Sequence, residues 1–172
     1  MNDLWPKAAE HMATGLGVKP GELVQVRDGA GRPEILEEVL LAVELTGATP
    51  LPELISPSYM RRMLSGATTD YLSRWDHKRQ AWMHQTDRVL DLQGAELDES
   101  GVPTEKLRAW QEAAHRLTVT EEDIGPLPFS LVAIPTQERA MQLGMSLKEL
   151  EARVLPALLA STDELRAEIR NY

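Results

Sequence analysis

A three-layer α/β fold with a mostly parallel sheet follows from three features of the sequence. Short apolar runs of strand length alternate with stretches of helical periodicity. No two strand-like runs are joined by a tight hairpin turn, so neighbouring strands must be connected by crossovers. A glycine-containing bend, Asp28-Gly29-Ala30-Gly31, leads from the first strand directly into a helix, which is the first half of a βαβ unit.

An opening helix is expected over residues 4–16. Ala8, Met12 and Leu16 recur every four residues with Ala9 and Ala13 beside them, and Gly15 and Gly17 end it. In Lys19-Pro20-Gly21-Glu22, proline presets one backbone angle and glycine accepts the left-handed one, which makes a tight turn. Leu23, Val24 and Val26 then form the first strand. Pro33 suits the first turn of the next helix, whose stripe is Ile35, Leu36, Val39, Leu40 and Val43, closed by Thr46-Gly47. Ala48 to Ile55 reads as extended chain, and Pro50 and Pro52 confine it to the edge of the sheet because neither can donate to a ladder.

From Ser56-Pro57-Ser58 a helical region is expected to reach about Gln85, broken near Gly66. Tyr71, Trp75 and Trp82 share one face and are expected to cover the sheet or a neighbouring helix. Asp87 to Gly94 is the third strand. Val102-Pro103-Thr104 opens a helix with Leu107, Trp110, Ala114 and Leu117 inward, and 118–128 reads as a loop, with Thr118–Thr120 as a candidate fifth strand. Ser130 to Ile134 is an uninterrupted apolar run, the pattern of a buried parallel strand. A short helix follows with Ala140, Met141 and Leu143. Ser146 and Glu149 have capping-box spacing ahead of a helix with Leu147, Leu150, Val154, Leu155 and Leu158, which Pro156 should kink or divide. A last helix, capped by Ser161 or Thr162, would present Leu165, Ile169 and Tyr172. These elements describe a Rossmann-like sheet in a single domain over residues 1–172.

Bulk properties exclude several classes of function. The net charge of −9, with 18 scattered Lys and Arg residues, is unsuited to nucleic acid or an anionic membrane surface. There is no cysteine, hence no disulfide, thiolate metal site or cysteine nucleophile, and a reducing cytoplasm is the expected location. The N-terminus lacks the apolar core of a signal peptide, and no apolar stretch approaches the roughly 20 residues that span a bilayer.

Few residues carry chemistry. Gly29-Ala30-Gly31 lies where a phosphate would meet free N–H groups, but Glu34 stands where the dinucleotide fingerprint needs a third glycine, and a carboxylate there repels phosphate. No P-loop and no Gly-x-Ser-x-Gly elbow is present, and Ser130 precedes a strand rather than ending one. His11, His77, His84 and His115 are never three or four apart, so no helix offers two of them to one metal. Carboxylates such as Glu37-Glu38, Glu96/Asp98/Glu99 and Glu121-Glu122-Asp123 read as solvated. Asp91 is different: it interrupts a central strand between Leu90 and Leu92, where a carboxylate must be paired or shifted in pKa. An arginine from a neighbouring helix is the expected partner.

Segment order adds a resemblance. Gly15-Leu-Gly-Val-Lys-Pro-Gly-Glu22, Leu45-Thr-Gly-Ala-Thr-Pro50, Asp87-Arg-Val-Leu-Asp-Leu-Gln-Gly94 and Leu131-Val-Ala-Ile-Pro-Thr136 with Gly144-Met-Ser-Leu-Lys-Glu149 occur in sequence over about residues 12–170. Together they resemble the N-terminal half of the thermophilic metallo-aminopeptidases of the aminopeptidase T and aminopeptidase S type. The two prolines of strand two and Asp91 in strand three depart from that pattern. The resemblance implies a non-catalytic α/β domain that helps to wall the active-site cleft of a longer, dimeric, peptide-cleaving parent. The two divalent metal ions of that family are held by Glu, His and Asp from its C-terminal half, which nothing here matches. No catalytic, cofactor-binding or metal-binding residue is therefore assigned in this chain. The implied partners are a C-terminal catalytic domain or a second copy of the chain, and peptide substrate is reached only through the parent. The chain stops just after an apolar stripe begins, as a domain cut from a longer protein would. Two alternatives stand beside this reading. One is a free-standing small-molecule module with Gly29, Gly31, Asp91, Gln93 and Pro135 at one edge; the other is a structural partner of a separately encoded catalytic chain.

Overall fold

The sheet has four parallel strands, β1 (Leu23–Asp28), β2 (Thr49–Leu54), β3 (Arg88–Gln93) and β4 (Phe129–Ala133), in the order β2-β1-β3-β4. The computed structural model describes residues 3–74, 81–124 and 127–160, with 117–124 described by backbone alone. Helices α1 (Trp5–Leu16), α2 (Pro33–Leu45), α3 (Pro57–Gly66), α4 (Thr69–Ser73), α5 (Thr104–Ile124), α6 (Gln137–Gln142) and α7 (Leu147–Leu159) flank the sheet in a three-layer, Rossmann-like α/β arrangement. Among the described residues, no helix is long and apolar enough to cross a membrane.

Side chains alternate along each strand, so the two faces of the sheet have separate identities. Val24, Val26, Leu90, Leu92 and Val132 point to one face. There they form the main core with Trp5, Ala8, Met12 and Ala13 of α1, Ile35, Val39 and Val43 of α2, and Leu155 of α7. Each fully buried Val, Leu or Ile contributes on the order of 1.5–3 kcal/mol. Trp5 anchors the start of α1 at 0% exposure, one turn ahead of Ala8 and Ala9 on the same buried face. A second, smaller core of Leu64, Leu72, Val102 and Ala109 joins α3, α4 and α5 on the other side.

The edge position of β2 has a direct backbone cause. The N–H of Thr49 donates to Glu22 O at 2.8 Å and that of Ile55 to Asp28 O at 2.9 Å, so odd-numbered residues of β2 face β1. Pro50 and Pro52 therefore point outward, where their missing N–H groups cost no ladder bond. The turn before β1 closes through Glu22 N–H to Lys19 O at 3.2 Å, with Gly21 at φ 82°.

Several expectations are corrected. β4 is not a buried central strand but the opposite edge: Phe129, Leu131 and Ala133 are exposed, and only the alternate residues reach the core. An apolar run cannot reveal this, because it has no alternation to read. Residues 118–124 continue α5 instead of forming a loop or a fifth strand. Tyr71 and Trp82 are exposed, so they do not cover the sheet; Leu64 and Leu72 fill that layer, and Trp75 lies outside the described residues. On α5 the deepest residues are Ala109 and Ala113, with Leu107 and Trp110 half-buried beside them. α7 runs unbroken through Pro156. The expected last helix with Leu165, Ile169 and Tyr172 also lies outside the described residues.

Candidate functional site

Two places gather polar groups: the crevice at the carboxyl ends of β1 and β3, and the polar face of the sheet. In the strand order β2-β1-β3-β4 the crossovers leave β1 and β3 in opposite directions, and such a switch point opens a crevice. A cavity of about 490 Å³ lies there. Its lining includes Gly31, Ser56, Ser58, Thr136, Gln137 and Glu138. Gly31 is positioned here, whereas Gly29, Asp91, Gln93 and Pro135, expected to crowd the same edge, do not line the cavity. Asp91 lies mid-strand on the sheet face, and Gly29 packs beneath, donating its N–H to Leu92 O at 2.8 Å.

The bend after β1 is already neutralised from within. Asp28 is buried, and its Oδ1 accepts from the N–H of Ala30 at 3.1 Å and of Gly31 at 2.8 Å. These are the donors that a phosphate would need, and the chain's own carboxylate holds them. Arg32 is equally committed. It pairs with Glu34 at 2.8 Å and with Glu151 of α7 at 2.6 Å, donates to Pro135 O at 3.0 Å, and stacks over Trp5 at 5.7 Å from the ring centre. This arginine ties α2, α7 and the end of β4 together. Burial would raise the Glu34 carboxyl, but its own backbone N–H and then Arg32 outweigh it and hold the group below its ordinary value. Across the crevice Arg61 donates to Asp98 at 2.9 Å and to Ser100 O at 3.0 Å. Its two arginines thus spent, the crevice offers hydroxyls, amides and the carboxylates of Glu96 and Glu138. That chemistry suits a neutral polar ligand better than an anion.

The polar face of the sheet is built by register. Arg27 of β1 sits beside Glu53 of β2 and Asp91 of β3. Its guanidinium lies 3.6 Å from each carboxylate, and Gln25 donates to Glu53 at 2.8 Å. The arginine that meets Asp91 thus comes from the adjacent strand, not from a helix. Asp91 is 6% exposed, and its Oδ1 has no hydrogen-bond partner. Burial pushes its pKa up, Arg27 opposes the shift, and the charge of Glu53 adds to it. One half-buried cation between two buried carboxylates leaves the trio one charge negative.

Neither place fits a metal. Arg27 lies between Glu53 and Asp91, where its charge would repel a cation. Among the described residues, no group of three or more His, Asp or Glu is arranged to hold one. His11, His84 and His115 are exposed and separate, and His77 lies outside the described residues. No histidine lines the crevice, so its serine and threonine hydroxyls have no imidazole base beside them.

No protein-family model matches the chain, and no curated protein matches it in sequence. Among solved structures it is similar to wild-type AmpT from Thermus thermophilus, with a TM-score of 0.58 and 19% identity. The likeness covers 91% of this chain and 42% of that one, so the chain spans less than half the length of the structure it matches. At such identity the likeness is one of fold.

Proposed function

We propose that the chain is a non-catalytic α/β domain of a metallo-aminopeptidase-like protein, equivalent to the N-terminal half of such an enzyme. The observation that carries this reading is the fold likeness to AmpT, an aminopeptidase, over nearly the whole of this chain and under half of the other. The ordered segments around Pro20-Gly21, Gly47-Ala48, Gly94 and Pro135-Thr136 are compatible with it, since each falls at a turn or strand end of the fold. On this reading the domain shapes a cleft in a cytoplasmic parent. The metal-dependent cleavage of peptides, with its two divalent ions, belongs to a C-terminal catalytic half in the same or a separately encoded chain.

The test is direct. The purified chain, mixed with short peptides and zinc, cobalt or manganese, is expected to release no free amino acid. Adding a catalytic half from an aminopeptidase of this type is expected to give a complex on size exclusion. Amino-acid release by the chain alone would end the proposal. A second reading, a free-standing small-molecule module, is favoured by the crevice of about 490 Å³ at the switch point. A rise in melting temperature with one member of a panel of neutral polar metabolites, lost in Thr136→Val, would support it.

A further inference from the structure

The two edges of the sheet differ in a way the fold does not require. On β2, the outward positions are Pro50 and Pro52, and the edge is blunted. Within β4 no proline stands at an outward position; Pro135, the next outward position, lies beyond the strand's end. The N–H of Val89 donates to Pro128 O at 3.0 Å and that of Ile134 to Gln93 O at 2.7 Å, so even-numbered residues face β3. Phe129, Leu131 and Ala133 therefore turn their N–H and C=O groups outward, and among the described residues these groups have no partner. Their side chains are open as well, Phe129 at 53% and Leu131 at 50% exposure. An unprotected apolar edge of this kind is a template for another strand.

We propose that β4 pairs with β4 of a second copy of this chain, antiparallel, about a twofold axis at Leu131. Two observations select a second copy as the occupant. The first is charge. No charged residue occurs from Ile124 to Gln137, in a chain whose net charge is −9. About the twofold axis, neutral strip meets neutral strip and the acidic surfaces are kept out of the contact. The second is shape. With Leu131 opposite its own copy, Phe129 falls opposite Ala133, so the large side chain meets the small one on both sides of the axis. The outward residues coincide with the hydrogen-bonded positions of an antiparallel ladder, giving about six new backbone bonds. Two four-stranded sheets become one continuous sheet. The inference stands apart from the aminopeptidase reading, since it uses only the strand register and the edge.

Sedimentation velocity over a range of micromolar concentrations tests it. The wild-type chain is expected to pass from monomer to dimer as concentration rises. Leu131→Pro removes one outward N–H while leaving every bond to β3, and should weaken the dimer by about tenfold or more with an unchanged circular dichroism spectrum. Leu131→Lys, which places like charges across the axis, should do the same and guards against misfolding of the proline variant. Because the chain lacks cysteine, Leu131→Cys should give a dimer that a short bismaleimide cross-links, while the exposed Gln142→Cys should not. A chain that stays monomeric throughout would overturn the proposal. So would a dimer that survives both Leu131 substitutions, or an edge that takes up only a strand from a different polypeptide.

Discussion

Changing Asp91 to Asn is expected to stabilise the protein at neutral pH, an unusual direction for a substitution in the centre of a sheet. Its carboxylate is buried with one oxygen unpartnered, and its contact with Arg27 is 3.6 Å, long for a charge-assisted bond. A buried acceptor left unsatisfied costs about 1–3 kcal/mol. Removing one member of a buried ion pair is usually harmful because it strands the other charge. Here Arg27 retains Glu53, and the trio passes from one net negative charge to none. Asparagine keeps the volume and can still present a carbonyl to Arg27. The balance is a gain of about 1 kcal/mol, or about 2–4 °C in melting temperature for a chain of this size. The pH dependence fixes the cause. Burial raises the Asp91 pKa above 3.8, so its contribution to stability is fullest below the unfolded value and is lost as pH rises through the folded one. The advantage of Asn should therefore be widest at pH 7 and close in acid, toward about pH 4. Urea unfolding followed by circular dichroism at both pH values measures it. A variant weaker than the wild type at pH 7, or a gap indifferent to pH, would refute the reasoning.

Two further outcomes probe the scaffold. A Cβ at Gly94 would lie 2.7 Å from Ala30 Cα and 2.8 Å from Gly29 O, both backbone atoms, so Gly94→Ala should cost about 1–3 kcal/mol by thermal melting; a variant as stable as the wild type would contradict the close crossing of the two strand ends. Arg88 grips Glu22 at both oxygens and bonds Leu16 O, and its hydrogen bonds bring the Glu22 carboxyl down from 4.5 to about 2. A depressed carboxylate stabilises above its unfolded pKa and loses that contribution as pH falls toward the folded one. The melting-temperature deficit of Arg88→Met should accordingly shrink between pH 4.5 and 2, and a constant deficit across that window would show that the pair acts by packing alone.

The legible part of the fold is the part written in periodicity and in backbone exceptions. Ala8, Met12 and Leu16 announce α1, and Ile35, Val39 and Val43 announce α2; all are buried in the main core. Pro50 and Pro52 place β2 at an edge from sequence alone, because a missing donor is a covalent fact that no tertiary context can repair. Ser146 and Glu149 form the expected capping box. A residue's environment, by contrast, is not written in local composition. The run Ser130 to Ile134 reads as a buried strand because it is uniformly apolar, and Tyr71 and Trp82 read as inward because they share one face at helical spacing. Both judgements depend on what lies across from the residue, which is set by crossover geometry and not by the local string. α5 is longer than expected for a related reason: Pro126 and Pro128 make the stretch from 118 onward read as irregular, yet a proline bars helix only close to its own position, and the helix runs on to Ile124.

The candidate site shows a sharper limit. Asp28-Gly29-Ala30-Gly31 has the small residues and the position of an anion-binding bend, and Glu34 argued against phosphate by repulsion. The stronger reason is Asp28 itself. An aspartate ahead of two free amides can either leave them to a ligand or accept from them, and sequence does not distinguish the two, because the choice rests on a side-chain rotation. Here the Asp28 carboxylate is turned onto Ala30 and Gly31, while Gly94 presses so close that nothing larger than a hydrogen fits above Ala30. The bend thus serves the sheet, and any ligand must bind outside it, between the α3 and α6 starts where Ser56 and Thr136 stand. The phosphate donors of an α/β switch point are thereby closed off, and the hydroxyls and amides that remain line the crevice beside them.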